Sequence, residues 1–162
     1  MTSHPYLLRR ADIEALEPLR KVHMLSDEAV RQNLSLGDRT GLTGLGVHII
    51  DVAPGDKSTE EHTHVYEDEA VYVLSGRGEV RIGERAFEIA AGDFLGFPKG
   101  GDAHALYNTS DAVLRCLVIG ERLAHDIVDY PNKQKRLFRN DGQPWNVVDW
   151  SDIAEVDAGR KV

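Results

Sequence analysis

The sequence predicts an all-β chain folded as an antiparallel barrel or jelly roll. Short runs with strand composition recur along it, punctuated by Gly, Pro, Asn and Asp. The pair Gly83-Glu84, set between Ile82 and Arg85, has the form of a two-residue hairpin turn with Gly first, the type II′ preference. A length of 162 residues with 41% hydrophobic and 28% charged residues suits one compact domain with a substantial core.

The elements follow in order. Residues 12–19 are the best helical candidate, and residues 26–31 read as another short helical turn. Residues 33–36 and 46–52 read as strands around the turn at Gly37–Gly41. Further strands are expected over 58–64, 69–74, 79–82, 85–89, 93–97, 103–108 and 112–119. This divides the single domain into an N-terminal extension (1–32), a core barrel (33–122) and a C-terminal arm (123–162). The arm carries Val128, Tyr130, Leu137, Phe138, Trp145, Val147, Val148 and Trp150. That is too apolar for a disordered tail. It is expected to pack across its own barrel or across a subunit partner.

Composition excludes several classes. The net charge is −8 with no long basic run, which argues against a nucleic-acid or anionic-membrane surface. It leaves room for an anionic small molecule, which needs only a local cluster of Lys or Arg. The single cysteine allows no internal disulfide, so a reducing, cytoplasmic setting is expected. The N-terminal stretch lacks a basic segment followed by an apolar one, so no signal peptide is expected.

The chemistry concentrates in four residues. His62 and His64 stand one residue apart in EEHTHVYEDEAVYVLSG, where a strand would turn both imidazoles to one face. Glu69 begins the next strand, and His104 follows the loop PKGGDA. Three neutral imidazoles and a carboxylate form a nitrogen/oxygen ligand set for one divalent transition metal: Fe, Mn, Ni, Co or Zn. Glu67 competes with Glu69 for the carboxylate role, but Glu69 has the better spacing to Gly76. Glu60, Glu61, Glu67 and Asp68 are otherwise expected to be solvated, with one of them available to hold a ligand imidazole. His4, His23, His48 and His125 are expected to be ordinary core or surface histidines, and Cys116 a buried small hydrophobe. The segment Gly41–Gly46 has the wrong spacing for a dinucleotide fingerprint.

The glycines around these residues extend the pattern. Gly55-x6-His62-x-His64-x4-Glu69-x6-Gly76 is followed by Gly92-x5-Pro98-x-Gly100-x3-His104-x3-Asn108. Together these resemble the two signature motifs of the cupin superfamily, with motif 1 at 55–76 and motif 2 at 92–108. One extra residue precedes His62 and one precedes His104; both fall in loops, where length costs little. The resemblance implies a double-stranded β-helix with the metal inside the barrel, and a homodimer. The segments GDRTGLTGLGVHIIDVAPG, EDEAVYVLSG, GDFLGFPKG and LYNTSD resemble small stand-alone bacterial cupins labelled sugar-phosphate-isomerase-like.

That superfamily spans dioxygenases, decarboxylases, isomerases and binding-only members, so three functional expectations stand. The leading one is metal-dependent aldose–ketose chemistry on a sugar phosphate. The alternatives are an iron-dependent dioxygenase and a non-catalytic small-molecule binding protein. Lys57, Lys99, Arg77 and Arg115 are the basic residues near the motifs and the candidates to hold a phosphate. Two or more cations converging on the pocket would favour sugar phosphates; apolar walls alone would favour oxygenation.

Overall fold

The computed structural model describes residues 4–159. A five-residue helix, α1 (Arg10–Glu14), opens the chain and leads into two long antiparallel strands, β1 (Leu19–His23) and β2 (Ser26–Ser35). One helical turn, α2 (Leu36–Thr40), connects these to β3 (Leu45–Val52). The short β4 (Thr63–His64), β5 (Glu69–Ser75), β6 (Arg77–Ile82), β7 (Arg85–Ala90), β8 (Phe94–Phe97), β9 (His104–Tyr107) and β10 (Leu114–Glu121) complete the barrel. The chain then adds β11 (His125–Tyr130), β12 (Lys135–Asn140) and β13 (Asn146–Asp149).

Among the described residues three antiparallel sheets result. The largest runs β1-β2-β3-β10-β5-β8, the second β7-β6-β9, and the third β13-β12-β11-β4. Their inner faces follow the two-residue period of strands. On β5, Val71 and Val73 are buried while Tyr72 and Leu74 face out. With Ile50, Val52, Val80, Ile89, Phe97, Leu106, Leu114 and Cys116 they form one core. Full burial of each such aliphatic side chain contributes roughly 1.5–3 kcal/mol, so the barrel has ample reason to close on its own. Cys116 is fully buried, as expected from its strand, and burial pushes its thiol up to about 12.

Several expected elements differ. The first helix covers Arg10–Glu14 rather than 12–19. Pro18 lacks a backbone donor and biases Glu17 away from helical angles, so the chain is extended again by Leu19. Residues 26–31 are strand, not a helical turn. Pairing with β1 (Lys21↔Arg31, Val22↔Val30, His23↔Ser26) and the bridge Ala29↔Lys57 override local preference there. Residues 37–40 lie within a helical turn rather than a plain loop. Only Thr63–His64 of the expected strand 58–64 is regular. Upstream, Ser58 receives Leu106 N–H on its own Oγ (3.1 Å), replacing part of the ladder with a side chain. The arm lies on its own barrel, with β11 pairing β4 through Val128↔His64 and Asp129↔Thr63.

The hairpin at Gly83-Glu84 forms as expected, with Ile82 opposite Arg85 and Gly83 at φ 57°. Gly76 shows why motif 1 ends on glycine. Its φ is 85°, and a Cβ there would sit 2.3 Å from the carbonyl oxygen of Val113. Gly76→Ala is therefore expected to cost on the order of 1–3 kcal/mol through backbone strain and a forced shift of the β10 approach. Urea unfolding measures this; an unchanged midpoint would show that the turn tolerates a side chain.

Candidate metal centre

His62 and His104 are brought together by backbone pairing. His62 N–H donates to His104 O (3.2 Å) and His104 N–H returns a bond to His62 O (2.9 Å). Residues in such a reciprocal antiparallel pair put their side chains on the same face. The two rings sit 4.8 Å apart between centroids, and His104 lies flat on Phe97. Glu69, the first residue of β5, is delivered from the large sheet by pairing with Gly120 and Phe97. Ligand atoms of His62, Glu69 and His104 fall within 4.8 Å of one another. His64, the fourth expected ligand, lines the same cavity with its ring 5.1 Å from that of His62, but its ligand atom groups with Glu67 and Asp126 and not with the other three.

Each imidazole is held from behind. His62 Nδ1–H donates to Glu60 O (2.9 Å), and His104 Nδ1–H to Asp102 O (3.3 Å). His64 Nδ1–H donates to the Asp126 carboxylate at 2.5 Å. A donor at Nδ1 leaves the Nε2 lone pair free, and an outward Nδ1 bond is the usual support of a metal-ligating histidine. His104 Nε2 is buried without a hydrogen-bond partner and lies 3.5 Å from Glu69 Oε1. Two acceptors facing each other in a buried site repel unless a cation or proton lies between them. The donor set therefore fits a divalent metal.

Electrostatics agree. Burial pushes His62 down to about 3, so its ring is neutral at physiological pH. Burial alone would raise Glu69, but the His104 contact and the neighbouring imidazoles pull it down to about 2. Burial would likewise lower His64; the bond to Asp126 and the nearby carboxylates outweigh it, and His64 is raised.

Around these residues lies a cavity of about 390 Å³, opening into an outer recess of about 910 Å³. The four cations expected near the motifs do not line it. Lys57 pairs with Glu60 (2.6 Å), Arg115 approaches Asp51 (3.5 Å), Lys99 is exposed, and Arg77 borders a separate recess. The cations lining the cavity are Lys21, Arg31 and Arg139. Glu60 and Glu67 are not solvated as expected: each is only 3% exposed. Glu67 accepts the Leu123 N–H (2.6 Å) and pairs with Arg139.

Asp126, 1% exposed, is the supporting residue that motif spacing misses. Its signal lies in HDIVDY, where Asp126, Val128 and Tyr130 share one strand face. A carboxylate on an otherwise buried face asks for a partner. His23 and His48 also line the cavity rather than serving only as generic core residues.

Comparison with known proteins now bears on this geometry. The family described as "Cupin domain" matches residues 48–120. A provisionally named sugar phosphate isomerase from Acidithiobacillus ferrooxidans is 49% identical, with 94% of this chain and 97% of that one covered and a TM-score of 0.91. A sugar phosphate isomerase of the cupin superfamily from Silicibacter pomeroyi is 26% identical over 91% of this chain and 96% of that one, TM-score 0.80. A polyketide cyclase from Streptomyces resistomycificus, 19% identical over 71% and 80% of the two chains with a TM-score of 0.60, shares the fold alone. Among curated proteins nothing matches. Among the described residues, no helix is long and apolar enough to cross a membrane. Fold, donor set and these likenesses agree: the chain belongs to the cupin superfamily, in its sugar-phosphate-isomerase-like group.

Proposed function

We propose that His62, His64, Glu69 and His104 hold one divalent transition metal and that the protein isomerises a small phosphorylated sugar at that centre. One observation carries the reading beyond the names of its relatives: the cavity presents hydrogen-bond donors. His23 Nδ1 accepts the Leu25 N–H (3.2 Å), so its proton is on Nε2. Asn33 Nδ2 lies 3.3 Å from His48 Nδ1; with the amide donating, this ring too keeps its proton on Nε2. Tyr130, which burial pushes up to about 12, remains a neutral hydroxyl. With Lys21 and Arg31, these groups suit a ligand rich in oxygen acceptors. The apolar walls, Ile50, Val71, Phe97 and Leu106 among them, do not favour an oxygenase by themselves, because ligand pockets of every class are mostly apolar.

A divalent ion at this centre supplies Lewis-acid polarisation of a carbonyl and its neighbouring hydroxyl. The chain's own groups do the rest. The Nδ1 partners hold the imidazoles in one tautomer, the donor lining orients the sugar oxygens, and the apolar walls exclude bulk water. The test is metal titration by calorimetry, followed by turnover of an aldose and ketose phosphate panel beside catechol-like substrates. Isomerisation that disappears with chelator and returns with one metal supports the proposal. Oxygen consumption on a catechol would replace it with the dioxygenase reading. Stoichiometric ligand binding without turnover would replace it with the binding-protein reading.

We also propose a homodimer. The arm, packed on its own barrel, does not need a partner copy. The outer face of the large sheet does: Tyr72, paired with Phe94 across the strands, is 43% exposed and Phe94 67%, with Leu45, Leu74 and Ile119 on the same face. A second copy seated there would bury more than roughly 1,000 Å², as a stable interface requires. Sedimentation is expected to give twice the 18.0 kDa chain mass, and Phe94→Glu to return it to the monomer. A wild-type monomer at micromolar concentration rejects the dimer.

A further inference from the structure

We propose that Lys21, Arg31 and His48 form a phosphomonoester subsite at the neck between the inner cavity and the outer recess. This rests on the reading of the cavity as a sugar-phosphate site, and it names the part of that site which holds the anionic end of the ligand. The geometry begins with register. Lys21 on β1 stands directly opposite Arg31 on β2. Like charges in directly opposed positions of an antiparallel pair repel. Here both side chains turn inward, to the face that carries Asn33 and His48, and both line the cavity.

Such a pair normally acquires carboxylates, but the nearby ones are engaged. Asp38 is held by Arg122 and Ser35, each at 2.5 Å. Glu67 is bound to Arg139, and Glu69 faces His104. Among the described residues neither Lys21 nor Arg31 forms an ion pair. Arg31 donates once, from Nη1 to Ser58 O at 2.5 Å, and its buried Nε has no partner. Burial, and then the adjacent Arg31, push the Lys21 ammonium below its ordinary value. The Nε2 of His48 leans over Gly46, where an added Cβ would come within 3.0 Å of it. An ammonium, a guanidinium fork and an imidazole N–H, none of them in an ion pair among the described residues, match the charge and oxygen count of a phosphate dianion.

Position supports the assignment. Lys21, Arg31 and His48 border both the cavity and the outer recess, as do His64, Glu69 and Arg139, whereas His62 and His104 lie deeper and border only the cavity. A ligand entering from the recess would leave its phosphate at this neck and direct its carbonyl end toward the histidines. The arrangement differs from a surface basic patch, because the two opposed cations sit inside the barrel mouth.

Inorganic phosphate titrated calorimetrically into metal-stripped and zinc-loaded full-length protein tests the subsite. Binding is expected in both forms. Lys21→Met and Arg31→Met should each weaken it by about tenfold or more, the weight of one charge-assisted hydrogen bond. Arg115→Met should leave it unchanged. Without phosphate, Lys21→Met should melt at the wild-type temperature or above, because it removes a repulsion; a role confined to folding would lower it. Equal phosphate affinity in wild type, Lys21→Met and Arg31→Met overturns the proposal, as does binding that requires zinc and ignores both substitutions. If phosphate binds through these residues while no sugar phosphate is turned over, the isomerase reading fails and the subsite stands. If sugar phosphates are turned over with unaltered KM in both variants, the subsite fails and the isomerase reading stands.

Discussion

His104→Ala is expected to abolish turnover and to lower metal affinity at least about a hundredfold, while the barrel stays folded. His104 carries three separable roles. Its backbone pairs with His62, its ring stacks on Phe97 with centroids 3.5 Å apart, and its Nε2 faces Glu69 without a hydrogen bond. The substitution keeps the first role and removes the other two. Loss of a supporting residue behind a ligand typically costs 10–100-fold in affinity, so loss of the ligand itself should cost at least the upper figure. The core of Val71, Val73, Leu114 and Cys116 is built without the metal, so the stability cost should be about 1–3 kcal/mol, ordinary for a point substitution. The measurement is thermal unfolding of wild type and variant with and without chelator, beside metal calorimetry. If chelation unfolds the wild type, the metal is structural, as in small zinc domains. If the variant binds metal with wild-type affinity, His104 is not a ligand.

The parts of this centre that were legible in sequence are those set by local backbone geometry. The spacing of His62, Glu69 and His104 survives in three dimensions because each lies at or beside a strand end, where one extra loop residue shifts no register. The strand expected over residues 69–74 forms, and its two-residue period buries Val71 and Val73 while Tyr72 and Leu74 face out. The failures share a different cause. Residues 26–31 look helical in isolation, and only pairing with β1 and the bridge Ala29↔Lys57 make them strand. Lys57, Lys99, Arg77 and Arg115 are near the motifs in sequence, yet strands from the chain's first third supply Lys21 and Arg31 to the cavity. Proximity in sequence is a poor guide in a barrel, because non-consecutive strands such as β3, β10 and β5 are neighbours. The arm is the clearest case. Its apolar content was readable, but its contact with β4, and so the approach of Asp126 to His64, depends on a pairing across more than sixty residues: Asp126 and His64 are separated by 62 positions.

Asp126→Ala is expected to produce the second large effect, and it tests whether the arm is part of the centre. Asp126 accepts from His64 Nδ1 at 2.5 Å and from Tyr66 N–H at 3.2 Å, and lies 3.8 Å from Arg139. Its removal leaves a buried N–H unsatisfied and a positive Arg139 with Glu67 alone. Breaking a buried charged network by deleting one member costs about 3–5 kcal/mol, and loss of the His64 support should lower metal affinity about 10–100-fold. Asp126→Asn separates charge from shape: the amide oxygen can still accept from Tyr66, but the carboxylate that favours charged His64 is gone. The His64 proton resonance of the metal-free variant should therefore titrate at a lower pH than in wild type, because Asp126 contributes to raising it. The pH dependence has a definite sign. A histidine raised by folding stabilises the fold fully below its unfolded value, near pH 6.5, and loses that contribution as pH rises through the folded value. In metal-free protein the stability gap between wild type and Asp126→Asn should thus be widest at mildly acidic pH and shrink as pH rises. A gap independent of pH, with His64 titrating as in wild type, would mean that Asp126 supports the arm and not the imidazole.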